Sequence, residues 1–216
     1  MQRSLEDVRA FIREHSFILN QMLWFPELDV GWYPIKENEI ELYGDDYFEK
    51  FEHYKTTEQG KLINDFRVQF VADIWIGHVV DIGVGAGHFV ESRPLTSGFD
   101  ISNYGIDWLQ QRGLFWDPYT DECDAITCWD SLEHIKDPWS LIERVRKYIF
   151  VTVPIARDCN DAIKFRHYKP REHFWYFTGQ GLDACFGQMG FDRVCRSGYE
   201  SLYGRQQVET FAFKRR

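Results

Sequence analysis

The chain has 216 residues, 44% of them hydrophobic, 17% aromatic and 27% charged, with a formal net charge of −9. That length predicts one compact unit with its own core, and the acidic balance excludes a broad nucleic-acid-binding face, which needs Lys and Arg against phosphate. The 5 cysteines are odd in number and include no Cys-x-x-Cys pair, which excludes a zinc ribbon or disulfide framework and predicts reduced thiols.

Residues 1–20 alternate charged and apolar residues too often for a secretory leader. No apolar run approaches the roughly 18 residues of a membrane span, so a cytoplasmic protein without a membrane partner is expected. Ser4 caps a helix predicted over residues 4–23, with Leu5, Val8, Phe11, Ile12 and Leu19 near one stripe. Pro26, Gly31, Pro34 and Gly44 break residues 24–46, which read as irregular. Helix returns over 58–76, with Leu62, Ile63, Phe66, Phe70, Val71 and Ile74 on one face.

From residue 77 onward, short apolar runs alternate with helical stretches. Strands are predicted at 79–82, 97–101, 113–116, 124–129 and 149–154. Helices are predicted from 88, from the Ser102 cap through 109, over 139–148, and over 178–189 with Gly190 as the stop. Residues 191–197 and 207–214 close the chain as an antiparallel hairpin. Continuous apolar strands between helices predict an α/β fold: a doubly wound, mostly parallel seven-stranded sheet covered on both faces.

The chemistry centres on Asp81-Ile82-Gly83-Val84-Gly85-Ala86-Gly87-His88, an acid closing a strand and then three glycines before a helix. Glycine at that density fits a backbone that a ligand approaches closely. In an open α/β sheet, ligands bind beyond the carboxyl ends of the strands, where Asp81, Asp100, Asp117 and Asp130 each close a predicted strand. A dinucleotide loop would read Gly-x-Gly-x-x-Gly, and its pyrophosphate would be repelled by Asp81. A cofactor with an ammonium and a sulfonium would not be.

The Asp-x-Gly-x-Gly-x-Gly loop resembles motif I of class I S-adenosylmethionine-dependent methyltransferases. The resemblance continues in order through Gly98-Phe99-Asp100-Ile101-Ser102, the segment Asp124 to Pro138 with its Leu132-Glu133-His134-Ile135, and His173-Phe174-Trp175-Tyr176-Phe177-Thr178. It covers about residues 60–216. It implies a Rossmann-like methyltransferase core over 58–216, preceded by an N-terminal helical and aromatic lid over 1–57.

The resemblance implies S-adenosylmethionine as cofactor. Gly83, Gly85 and Gly87 would pass beneath it, Asp81 would reach its amino group, and Asp100, followed by Ile101, would bind its ribose. Asp117 would meet the adenine amine, with an ordinary turn as the competing role. Trp129 and Asp130 would lie near the methionine moiety. His134 is the first candidate base and His173 the second, beside a structural hydrogen-bonding role. Asp130, Glu133 and His134 resemble the Glu-x-x-Glu-His of metal-dependent members. Metal-free relatives also carry Leu-Glu-His-Ile, and Asp130 departs from the usual Glu, so no metal is expected. Tyr47 and Tyr54 are the candidates for the mouth of the acceptor site.

The expected activity is O- or N-methylation of a small or medium-sized acceptor. The alternatives are methylation of an RNA end, on the strength of the basic segment 164–171, and a non-catalytic cofactor-binding scaffold. Fold identifies the cofactor better than the acceptor.

Overall fold

The computed structural model describes residues 4–15, 21–35 and 45–216. Helix α1 (Leu5–His15) is followed by two short strands, β1 (Leu23–Phe25) and β2 (Val30–Trp32). Helices α2 (Asp45–Thr56) and α3 (Glu58–Ala72) follow, with Thr57 capping α3 by accepting the Gly60 N–H. The alternating part runs β3 (Val79–Ile82), α4 (His88–Ser92), β4 (Thr96–Phe99), α5 (Asn103–Gln111), β5 (Cys123–Trp129), α6 (Pro138–Ile142) and β6 (Val145–Ala156). A short α7 (Cys159–Ala162) leads to β7 (Trp175–Thr178), α8 (Gly179–Gln188), β8 (Phe191–Ser197), α9 (Tyr199–Leu202) and β9 (Val208–Arg215).

The strands form one sheet in the order β1-β2-β7-β6-β5-β3-β4, with β9 on β6 and β8 on β9. The pairs β4–β3–β5–β6 are parallel, whereas β6–β9 and β8–β9 are antiparallel. At 12 residues, β6 is long enough to pair with β9 along 148–154 and with β7 at 155–156. The doubly wound, mostly parallel α/β sheet with an antiparallel edge therefore matches expectation, while several elements differ in detail.

Residues 24–46 had read as irregular, yet β2 pairs with β7 and carries β1, extending the sheet. Each of these strands has only three or four residues, too few to display a period, and their pairing is set by a partner about 145 residues away. The predicted helix 4–23 ends at His15 among the described residues, and Leu23 already belongs to β1. The predicted helix 139–148 stops at Ile142. From Val145 the chain is strand, because β5 and β9 hold it from both sides. The predicted strand 113–116 shrinks to one bridge, Gly98 to Phe115.

Large side chains fill the space between sheet and helices. Trp139 meets Trp175 edge to face at 5.1 Å, and Phe186 stacks on Phe213 at 4.1 Å. Leu5, Val8 and Ile12 of α1 enter this same cluster, so the N-terminal helix shares the core of the sheet. Burying each such side chain stabilises by about 1.5–3 kcal/mol. All five cysteines are free thiols. Among the described residues no helix is long and apolar enough to cross a membrane.

Candidate active site

With β4 on one side of β3 and β5 on the other, the winding reverses at the carboxyl end of β3, the place where open α/β sheets bind their ligands. Asp81 stands at this point, opposite Gly98 of β4 and Thr127 of β5. It is 2% exposed and accepts one hydrogen bond, from Thr127 Oγ1 at 2.7 Å. Burial pushes its carboxyl up to about 7, against the opposing pull of the Thr127 hydroxyl and the more distant Arg67.

The loop after Asp81 turns through left-handed backbone at Gly83, Gly85 and Gly87. Gly83 (φ 76°) donates its N–H to the Phe99 carbonyl at 2.8 Å, and a Cβ there would stand 3.0 Å from Ser131 Cβ. Both the backbone angle and the approach of the loop after β5 require glycine. At Gly87 (φ 71°) a Cβ would lie 2.3 Å from the Trp108 ring. Between them, a Cβ on Gly85 would meet only the Phe51 ring, at 3.9 Å, so the loop keeps one open side.

Asp100 follows β4 and is 8% exposed. Its Oδ1 accepts both the N–H and the hydroxyl of Ser102, at 2.9 and 2.7 Å, while Ser102 caps α5 by accepting the Gly105 N–H. Oδ2 takes no part in that cap. Ile101 beside it is an apolar side chain left 74% exposed. Asp117 lies after the bridge at Phe115. Its Oδ1 accepts the Tyr119 N–H at 2.9 Å, which makes it a turn-forming residue.

Asp130, after β5, is enclosed by arginines. Its two carboxylate oxygens meet Arg205 side-on at 2.6 and 2.9 Å, and Oδ2 also accepts from Arg67 at 2.8 Å. Both guanidinium groups bind the fully buried carboxylate of Glu200 as well, Arg67 at 2.7 and 3.0 Å, and Thr152 Oγ1 donates to it at 3.3 Å. Burial opposes ionisation of Asp130, but Arg205 and Arg67 outweigh it and hold the carboxyl far below the usual range. The backbone of Asp130 is itself left-handed (φ 57°), so the ion pairs hold an unfavourable conformation in place. Trp129 lies under this group, with the Arg67 guanidinium 5.2 Å from its ring centre.

Tyr54 of α2 faces the same network. Burial raises its phenol, and Arg205 and Arg67 pull the other way. Tyr47 also lies in α2, but its side chain is outside the described residues.

A single 3₁₀ turn over Leu132–His134 carries the next group. Glu133 is buried, and burial with the nearby Asp130 charge pushes its carboxyl up to about 8. His134 and His173 meet edge to face, ring centres 4.6 Å apart. Burial lowers both imidazoles, His173 to about 2, so both are neutral near pH 7. Of the residues considered from the sequence, Glu133, His134 and His173 converge, whereas Asp130 is committed to the arginines. Sequence reasoning did not single out Arg67, Arg205 or Glu200. The one available signal was a charged residue within an apolar helical run, Phe66-Arg67-Val68.

Residues 52–196 match the family model described as a methyltransferase domain, and the chain belongs to that family. Its class is that of the S-adenosylmethionine-dependent class I methyltransferases. Magnesium protoporphyrin IX methyltransferase from Synechocystis, solved with S-adenosylhomocysteine bound and again with S-adenosylmethionine, is among the similar structures. The match to the first of these has a TM-score of 0.57 at 15% identity, covering 81% of this chain and 96% of that one. An S-adenosylmethionine-dependent methyltransferase from Archaeoglobus fulgidus matches with a TM-score of 0.54 at 18% identity over 79% and 100% of the two chains. One from Clostridium acetobutylicum matches with 0.54 at 11% over 78% and 98%. At these identities the likeness shows the fold. No curated protein matches the chain.

Proposed function

We propose that this chain methylates an oxygen or nitrogen of a small or medium-sized acceptor, with S-adenosylmethionine held across the carboxyl ends of β3 and β4. The observation that carries the reading is the pairing of two buried acids, Asp81 and Asp100, across a glycine loop with one open side. The residues suit that cofactor. Asp81 has one hydrogen-bond donor for two oxygens, Thr127, and would welcome an ammonium group. Asp100 keeps Oδ2 outside its helix cap, available to a ribose diol. Exposed Ile101 offers an apolar edge to a base.

When bound, the cofactor supplies an electrophilic methyl group on a sulfonium, and the protein's work is positioning and exclusion of water. Trp129 and Phe89, packed edge to face at 5.2 Å, build a dry wall at the end of β5. Where the acceptor must lose a proton, the neutral imidazole of His134 takes it, with His173 alongside. Asp130 acts through its charge network: it holds Arg67 and Arg205 beside Tyr54, where the acceptor enters. A small acceptor fits the net acidic surface better than an extended nucleic acid. The magnesium protoporphyrin enzyme among the structural neighbours also takes a small molecule.

The test is transfer of labelled methyl from S-adenosylmethionine to a panel of phenols, carboxylic acids, amines and short RNA ends. Turnover on a small acceptor that falls sharply in Asp100→Ala supports the reading. Transfer to RNA alone would replace it with the nucleic-acid alternative, and tight cofactor binding without transfer to any acceptor would favour a scaffold.

A further inference from the structure

We propose that the cavity between the ends of β6 and β7, the start of α8 and the β8–β9 pair binds a small zwitterion of the amino-acid class, apart from the site proposed for the cofactor. The cavity has a volume of about 460 Å³, within the range of small-molecule sites, and Ile155 and Ala156 form its apolar lining. It lies on the face of the sheet opposite the arginine network. Glu209 and Thr210 are successive residues of β9, so their side chains point to opposite faces. Thr210 meets Thr152, the residue that donates to Glu200, whereas Glu209 lines the cavity with Arg196 on the α8 side.

Four charged side chains line this space, two of each sign: Asp29, Glu209, Arg157 and Arg196. Arg196 holds Glu209 side-on through Nε and Nη2, the second bond at 2.9 Å, and its Nη1 has no partner among the described residues. A Cβ on Gly179 would stand 3.2 Å from that Nη1, so a larger residue there would crowd the guanidinium edge. Arg157 binds Asp161 through Nε and Nη2, at 3.1 and 2.7 Å, and likewise keeps Nη1. Asp29 accepts the Thr178 hydroxyl on Oδ2 at 2.6 Å and keeps Oδ1. A carboxylate suits the two unused guanidinium edges, and an ammonium suits the unused carboxylate oxygen. A polyanion would meet Asp29 and Glu209, and a polycation would meet the two arginines. The set therefore favours a molecule carrying one charge of each sign.

The backbone around the cavity is held in an uncommon conformation. Among the described residues four besides glycine have positive φ, and two of them, Asp29 (53°) and Gln207 (60°), line this one cavity, while a third is Asp130. Such conformations persist only where the surroundings over-determine them, and they cluster at ligand sites. Gln207 is fixed by its carbonyl, which accepts the Ile155 N–H at 2.7 Å, and by its side-chain amide, which donates to Asp161 at 3.3 Å. Asp29 is fixed by Thr178, whose hydroxyl also caps α8 by accepting the Gly181 N–H at 2.9 Å. The charged groups are thus placed before any ligand arrives, which lowers the cost of binding. The inference concerns ligand binding alone and stands or falls apart from methyl transfer.

The experiment uses the full chain, labelled with nitrogen-15 and titrated to millimolar concentration with each of the natural L-amino acids in turn, while backbone amide and arginine side-chain signals are recorded. At least one amino acid is expected to shift the Gly179, Gln180 and Arg196 signals saturably and to leave those of Gly83 and Gly85 in place. The decarboxylated amine and the deaminated acid of that amino acid should each bind at least about 10-fold more weakly, the scale of a lost charge-assisted hydrogen bond. Arg196→Gln and Asp29→Asn should weaken the amino acid itself by a similar factor. Circular dichroism checks that both variants fold, and the analogue series on the unaltered chain guards against misfolding. The proposal is overturned if no amino acid shifts those three residues, if either analogue binds as well as the zwitterion, if the shifts fall on the glycine loop instead, or if binding survives both substitutions.

Discussion

The two halves of the candidate site are built on different principles. The side proposed for the cofactor is made of backbone: a strand end, three left-handed glycines and a helix cap, with one hydroxyl donating to Asp81. The side proposed for the acceptor is made of side-chain charge, with Asp130 and Glu200 enclosing Arg67 and Arg205. The first presents under-used acids to a cationic ligand. The second has neutralised its charges internally and gains a fixed geometry. One side is ready to bind charge, while the other holds shape, which suits a fold whose cofactor is constant and whose acceptor varies.

The sharpest way to break this contrast is at Glu200, whose side chain is fully buried. Glu200→Ala leaves two guanidinium groups sharing the single Asp130 carboxylate. Loss of one member of such a buried group should destabilise by about 3–5 kcal/mol in urea unfolding. A loss below about 1 kcal/mol would mean that solvent already screens the network.

A smaller effect is expected at Gly83. Gly83→Ala places a Cβ in left-handed backbone 3.0 Å from Ser131 Cβ and should cost about 1–3 kcal/mol of stability, with cofactor affinity falling in parallel.

Asp81 sharpens the comparison through pH. Its folded carboxyl is pushed up to about 7 from an ordinary value of 3.8, so the folded chain holds a proton that the unfolded chain has released. The stability tied to that proton is fully present below pH 3.8 and is lost as pH rises through about 7. Glu133, pushed up to about 8, acts with the same sign, and the neutral His173 with the opposite sign. Relative to the parent chain, Asp81→Asn should flatten the decline between pH 4 and 7, and urea midpoints across that range measure it. An unchanged slope would place Asp81 in water. For the same reason a cationic cofactor should bind less tightly below about pH 7, with proton release that calorimetry in two buffers detects.

The smallest effect belongs to Asp117. Because its carboxylate already serves the Tyr119 turn, Asp117→Ala should change cofactor affinity by less than about 1 kcal/mol. A larger loss would place it against the adenine ring.

What could be read from the sequence follows the same division. The acid–glycine loop was legible from its spacing and the Ser102 cap from residues within a few positions, whereas Ser131 and Trp108, which crowd the glycines, come from distant parts of the chain. The arginine network joins residues 63, 75 and 133 positions apart, and only the folded sheet brings them together. Asp130 was legible as a strand-closing acid, but its partners were not. The strands β1, β2 and β7 were missed for a related reason. Val30-Gly31-Trp32 carries no alternation of its own, and its pairing is set by Trp175, Tyr176 and Phe177. His134 and His173 were each visible within a motif, while their contact at 4.6 Å required β7 to return beside the 3₁₀ turn.

The central claim is that Asp81 and Asp100 bound a site for S-adenosylmethionine, and its most direct test is calorimetric titration of the chain and of Asp100→Ala with that cofactor and its demethylated product. The account predicts one site in the parent chain, weakened by about 1.5–3 kcal/mol in a folded Asp100→Ala, the scale of a lost charged hydrogen bond. Unchanged affinity in that variant, or no binding by the folded parent chain, would contradict it.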